Sequence, residues 1–192
     1  EASSDEPQIV FVQLPDEAVR DTSGHWLAVS VVDALRYVHE RVAPDAKLVV
    51  NLSFGALAGP HDGSQAIEQA IEHLHTLRPN DFALVLPAGN GFDAGCHASA
   101  VAAAGGSVEF IVDVRADDPT HSFIELWSAA AADADFWALS PDGVRLDASL
   151  PRLEDESGRL LAELLTPRRS GDSRAQVLLC MKPVVMSDGA VN

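Results

Sequence analysis

Two short apolar runs with an amphipathic stretch between them constrain this chain more than any other feature. Leu48-Val49-Val50 is a continuous apolar run of the kind that a parallel sheet covers on both faces. Phe82-Ala83-Leu84-Val85-Leu86 is a second one. Between them Ile67, Ala70, Ile71, Leu74 and Leu77 recur at spacings of three and four, which predicts a helix over 64–77 with one face on a sheet. Asp62 or Ser64 can accept its free first-turn amides, and Pro79 ends it. An earlier helix is predicted over 28–42, where Val31, Ala34, Leu35, Val38 and Val42 keep the same spacing before Pro44. Ile9-Val10-Phe11-Val12 reads as one more buried strand, stopped by Pro15 and followed by a polar loop over 16–25. Strand, helix, strand, helix, strand in this order predicts an α/β fold with a parallel sheet and right-handed crossovers.

The texture changes after Ala104, where Gly105-Gly106 breaks the chain. Segments 108–114, 122–127, 136–139 and 176–181 are rich in β-branched, aromatic and long apolar residues, with no amphipathic helix between them. Pro119, Pro141-Asp142-Gly143 and Ser170-Gly171-Asp172 are turn signals. The expectation is a partial α/β domain over 1–105 and a β-rich insertion or accessory domain over 106–192, an antiparallel β-sandwich or part of one. Residues 157–165 fit a short helix or an edge strand equally well.

With 192 residues and 47% hydrophobic content the chain can bury a core. Thirteen basic residues against 29 acidic ones give a net charge of −16, which repels nucleic acid and anionic membranes, so neither is an expected partner. The acid excess serves solubility, or it gathers oxygen ligands for calcium. Asp113, Asp117 and Asp118 form one acidic group and Glu154, Asp155 and Glu156 another, but neither has the spacing of a calcium loop. Cys96 and Cys180 fit small buried apolar positions, and a disulfide between them does not follow from sequence. No stretch reads as a signal peptide or a membrane span.

Val49-Val50-Asn51-Leu52-Ser53-Phe54-Gly55, a loop containing Gly59-Pro60, the amphipathic helix, and Leu84-Val85-Leu86-Pro87-Ala88-Gly89-Asn90 together resemble the middle of a subtilase, a subtilisin-like serine peptidase. The resemblance implies a partial three-layer subtilisin-like sheet with helices, and the β-rich half resembles the jelly-roll-like sandwich inserted in or appended to some bacterial members. It further implies that Ser53, Phe54 and Gly55 pair with the backbone of a peptide or protein substrate. Ala88 and Gly89 would line the specificity pocket, and the Asn90 amide would donate to the developing oxyanion. The implied reaction is peptide-bond hydrolysis by a serine, histidine and aspartate triad, with no cofactor. Family members are often secreted.

Of the family's signatures only the asparagine element is present. Asp-[Ser/Thr]-Gly, His-Gly-Thr-His and Gly-Thr-Ser-x-Ala are expected outside Glu1 to Asn192, in which case the segment alone is inactive; a degenerate homologue is the other reconciliation. Asp21-Thr22-Ser23-Gly24-His25 and His97-Ala98-Ser99-Ala100 echo the aspartate and serine motifs at unsuitable spacings. They read instead as a loop leading into a helix and as part of a small-residue helix over 98–104. His61 reads as an exposed loop residue, and His73 and His75 as solvated. Two rival functions stay open. Gly89-Asn90-Gly91-Phe92-Asp93-Ala94 fits a dinucleotide fingerprint loosely, with Glu109 and Asp113 downstream as ribose ligands. Trp127 and Trp137 fit either a sandwich core or an exposed platform of a protein- or glycan-binding module.

Overall fold

The computed structural model describes residues 7–21, 24–129, 134–167 and 174–184. Over these residues the chain is mixed α/β, with helices, a parallel sheet and antiparallel sheets. It divides into two compact units, Glu1–Asn90 and Gly91–Asn192. No helix among the described residues is long and apolar enough to cross a membrane.

The first unit holds α1 (Asp16–Arg20), α2 (His25–Arg41), β1 (Leu48–Asn51), α3 (Ala66–Leu77) and β2 (Phe82–Val85). The three-and-four spacing read in the sequence is what builds its core. Leu27, Val31 and Leu35 on one face of α2 meet Leu74 of α3, and Val50, Leu52, Phe54, Ile67, Ile71 and Phe82 close around them. β1 and β2 pair in parallel, Leu48 opposite Phe82 through Asn51 opposite Val85. Among the described residues one face of this pair is covered. Leu48 and Val50 turn inward, whereas Val49 is 68% exposed and Val85 is exposed beside it, contrary to the expectation of a strand buried on both faces.

Ile9-Val10-Phe11-Val12 is not a strand. Ile9 and Phe11 are exposed, and the alternate residues Val12 and Leu14 lean on α2, beside Ala34 and Tyr37, so the segment finds its apolar partner on a helix rather than in a ladder. The polar stretch after it, expected as a loop, contains the short helix α1.

Arg78, just past α3, is 5% exposed and fixes the other end of α2. Its Nη1 donates to the Ala46 carbonyl at 2.8 Å, and Nη2 to the Val42 and Ala43 carbonyls at 3.1 and 3.0 Å. Nε donates to Nδ1 of His39 at 3.3 Å. A cation at a helix C-terminus satisfies carbonyls that the helix leaves unpaired. This is how a fully charged side chain is buried among carbonyl oxygens.

The second unit is built on an antiparallel sheet of β3 (Ser122–Ser128), β6 (Arg152–Glu154), β7 (Leu160–Leu165) and β8 (Ala175–Met181), in the order β3-β8-β7-β6. A hairpin of β4 (Ala138–Leu139) and β5 (Arg145–Leu146) turns at Pro141-Asp142-Gly143, where the Gly143 N–H donates to the Ser140 carbonyl at 2.9 Å. Leu146, Ala162, Leu164 and Val177 form the core, joined by Leu126, Phe136, Leu153 and Leu179. The ambiguous stretch 157–165 becomes β7, an interior strand rather than a helix or an edge. Two expectations fail here. Residues 98–104 form no helix, because seven residues with Val101 as the one large apolar side chain are too short to nucleate one without packing. Residues 108–114 form no strand among the described pairings.

Candidate functional site

The parallel register brings two loops out at one end of the first unit's sheet. The Leu52 N–H donates to the Val85 carbonyl at 3.0 Å, carrying the ladder one residue past β1. Ser53-Phe54-Gly55 and Ala88-Gly89-Asn90 therefore continue from the carboxyl ends of neighbouring parallel strands, the side on which open α/β sheets bind ligands. Strand alternation persists into the first loop. Phe54 turns into the core, while Ser53 and Gly55 face outward. The Ser53 hydroxyl donates to Oδ1 of Asn51 at 3.2 Å. Among the described residues, apart from the chain neighbours, no atom lies within 4 Å of where a Cβ on Gly55 or Gly89 would stand, so both backbones are open to an approaching chain. Gly89 has φ +84°, a left-handed conformation that glycine adopts without strain. Asn90 follows it with its side chain exposed.

The loop between Gly55 and α3 is held from both ends. Nε2 of Gln65 donates to the Ala58 carbonyl at 2.8 Å, and a Cβ on Gly59 (φ +107°) would collide with that amide. The Glu68 carboxylate accepts the Gln65 N–H at 2.9 Å, as in a capping box, so Gln65 and Glu68 start the helix rather than Asp62 or Ser64. Asp62 instead accepts the Ser64 N–H at 3.1 Å within the preceding turn. His61 adopts φ +52° with Nε2 2.9 Å from the Leu57 carbonyl. It is the described non-glycine residue with a left-handed backbone, a feature that periodicity does not reveal.

The remaining sequence candidates separate. Asp21 accepts the Trp26 N–H at 2.9 Å in the first turn of α2, a role in starting that helix; Thr22 and Ser23 lie outside the described residues. His97, Ser99 and the residues around them are exposed and non-helical. His73 and His75 are exposed on α3. After Gly89-Asn90-Gly91 comes a single 3-10 turn, Phe92–Ala94, so the stretch lacks the helix whose amides would hold a pyrophosphate. Trp127 is half-buried with Nε1 donating to Glu125 at 3.0 Å, while Trp137 is exposed with the Arg145 guanidinium 5.2 Å from its ring centre.

The acidic residues of the second unit mostly organise turns. The Ser149 hydroxyl, its N–H and the Leu150 N–H all donate to Asp147 and hold its carboxyl down at about 2. The Ser157 hydroxyl and the Arg159 N–H do the same for Asp155, also to about 2. The Thr120 hydroxyl and N–H, with the Ser122 hydroxyl, lower that of Asp118. Asp117 pairs with Arg115. Among the described residues no group of three metal-binding side chains converges. Cys180 is half-buried, its thiol pushed up by burial, and Cys96 is exposed, against the expectation that both are buried. No protein-family model, no curated protein and no solved structure matches this chain.

Proposed function

We propose that this chain carries the substrate-binding strand and the oxyanion-hole segment of a subtilisin-like serine endopeptidase whose triad residues lie outside it. The observation that carries the reading is the in-register parallel pairing of β1 with β2, which sends Ser53-Phe54-Gly55 and Ala88-Gly89-Asn90 out of the same end of the sheet. In this reading the outward backbone at Ser53 and Gly55 pairs with an extended peptide. Ala88 and Gly89 border the pocket for the side chain before the cleaved bond. A serine attacks the carbonyl with a histidine as base, and the Asn90 amide donates to the oxygen as it becomes an oxyanion. The first unit is then part of a three-layer subtilisin-like domain, and the second a jelly-roll-like accessory. No cofactor takes part in the proposed hydrolysis.

The test is Asn90→Ala in the intact protein. A donor aimed at the transition state contributes about 3 to 4 kcal/mol, a magnitude known from subtilisin itself and carried over here. The expected result is a kcat lowered by two to three orders of magnitude, as ~3 to 4 kcal/mol requires, with KM little changed. An unchanged kcat, or a loss confined to KM, removes the assigned role. The exposed Trp137 favours a second reading, a non-catalytic protein- or glycan-binding module. That reading requires Trp137 fluorescence to respond to the bound partner.

A further inference from the structure

β3 forms one edge of the second unit's sheet: it pairs with β8, and among the described residues no strand lies along its other side. The chain leading into it carries the pattern of the missing neighbour. Val108, Phe110, Val112 and Val114 alternate with Glu109, Ile111 and Asp113. The alternation is already expressed in exposure, since Val108, Phe110 and Val112 are 41, 44 and 50% exposed while Ile111 is 90% exposed. Between this segment and β3 the turn is formed. The Asp118 N–H donates to the Arg115 carbonyl at 3.2 Å, and the Asp118 carboxylate accepts from the Thr120 N–H and hydroxyl at 2.8 and 2.6 Å. The turn is also tied to the chain just past β8, at the end where Ser122 pairs with Met181: the Val184 N–H donates to the Asp118 carbonyl at 2.9 Å.

We propose that residues 108–114 are a strap that closes along the free edge of β3 as a fifth antiparallel strand. A turn over 115–121 sets Val114 opposite Ser122, Val112 opposite Ile124, Phe110 opposite Leu126 and Val108 opposite Ser128. Leu126 belongs to the core layer, and Ile124 shares its face of the sheet. In this register all four valine and phenylalanine side chains join that layer. A shift by one residue turns them outward and carries the acids in, so the pattern selects one register. The outward pairs are Asp113 with Phe123, Ile111 with Glu125 and Glu109 with Trp127, and no two carboxylates stand directly opposite one another. Closure covers backbone groups of β3 that otherwise invite a strand from another molecule. The strap is thus a device that opens or hides a strand-docking edge.

The experiment is disulfide trapping in the full chain with Cys96→Ser and Cys180→Ala as background. Ile111→Cys with Glu125→Cys places thiols opposite each other in the proposed register, and Val112→Cys with Glu125→Cys does so only in the shifted one. The first pair is expected to close within one chain under mild oxidation, at least about tenfold faster than the second. Equal rates, no closure of the first pair, or a disulfide formed only between chains overturns the proposal. Hydrogen exchange on the unmodified protein tests it without any substitution: amides of 108–114 are expected to exchange at least about tenfold more slowly than those of 98–104. Equal exchange in the two segments overturns it as well.

Discussion

Replacing Arg78 with alanine removes a buried cation that holds three carbonyls at the end of α2. The magnitude follows from the geometry. Hydrogen bonds from a charged donor are worth about 1.5 to 3 kcal/mol each, and a carbonyl left buried without a partner costs about 1 to 3. Ala43 is exposed, so its carbonyl regains water when the guanidinium is lost, whereas Val42 and Ala46 are half-covered. Counting two carbonyls rather than three, and allowing water to enter the space left behind, the expected loss is about 3 kcal/mol. With a urea dependence of about 1 to 3 kcal/mol per molar, the midpoint falls by roughly 1 to 3 M. The assay is urea denaturation followed by peptide-level hydrogen exchange over α2 and β1, which separates the first unit from the second. Arg78→Lys is expected to recover less than half of the loss, because an ammonium lacks the planar fork that reaches Ala46 and Val42 together. A loss under about 1 kcal/mol for Arg78→Ala would overturn this role for the guanidinium, since water would then satisfy the carbonyls as well.

Gly89→Ala is expected to cost the fold only about 1 to 2 kcal/mol, the strain of a left-handed alanine, because its Cβ enters open space. Under the proposed function the same methyl intrudes where substrate approaches, so the intact enzyme should show a raised KM, measurable with a peptide substrate. Acid should destabilise the second unit in a defined window. Asp147 and Asp155 sit at about 2 in the folded state against 3.8 ordinarily, so their stabilisation is complete above about pH 4 and is lost as the pH falls towards 2. Thermal melts across that window should flatten in the Asp147→Asn, Asp155→Asn double variant; an unchanged slope would contradict the assignment.

What the sequence made legible is the part that periodicity encodes. α2 and α3 announce themselves by apolar residues at three and four, and β1, β2, β3 and β8 by short apolar runs. The failures have physical causes. A run such as Ile9-Val10-Phe11-Val12 states that side chains want burial, not which surface buries them, and α2 supplies part of that surface. The charged strands β5 and β6 are too short for an alternation to register, and β6 carries an irregularity between Leu153 and Glu154. Of the candidate site, Ser53, Phe54, Gly55, Ala88, Gly89 and Asn90 are named by the resemblance to subtilases and not by periodicity. The loop's anchorage by Gln65 and the left-handed His61 could not be read from either, because both depend on where the loop returns in space. Arg78 was equally invisible, since a single arginine after a helix usually points to water.

Under the proposed function these loops serve a serine peptidase, and covalent trapping of its nucleophile is the decisive test. The intact protein carrying this chain would be treated with a serine-directed fluorophosphonate and assayed on a denatured protein substrate before and after. The expected result is hydrolysis before treatment, label on one serine located by mass spectrometry outside Glu1 to Asn192, and loss of hydrolysis in step with labelling. A folded intact protein that neither cleaves the substrate nor takes up label at any serine would contradict it.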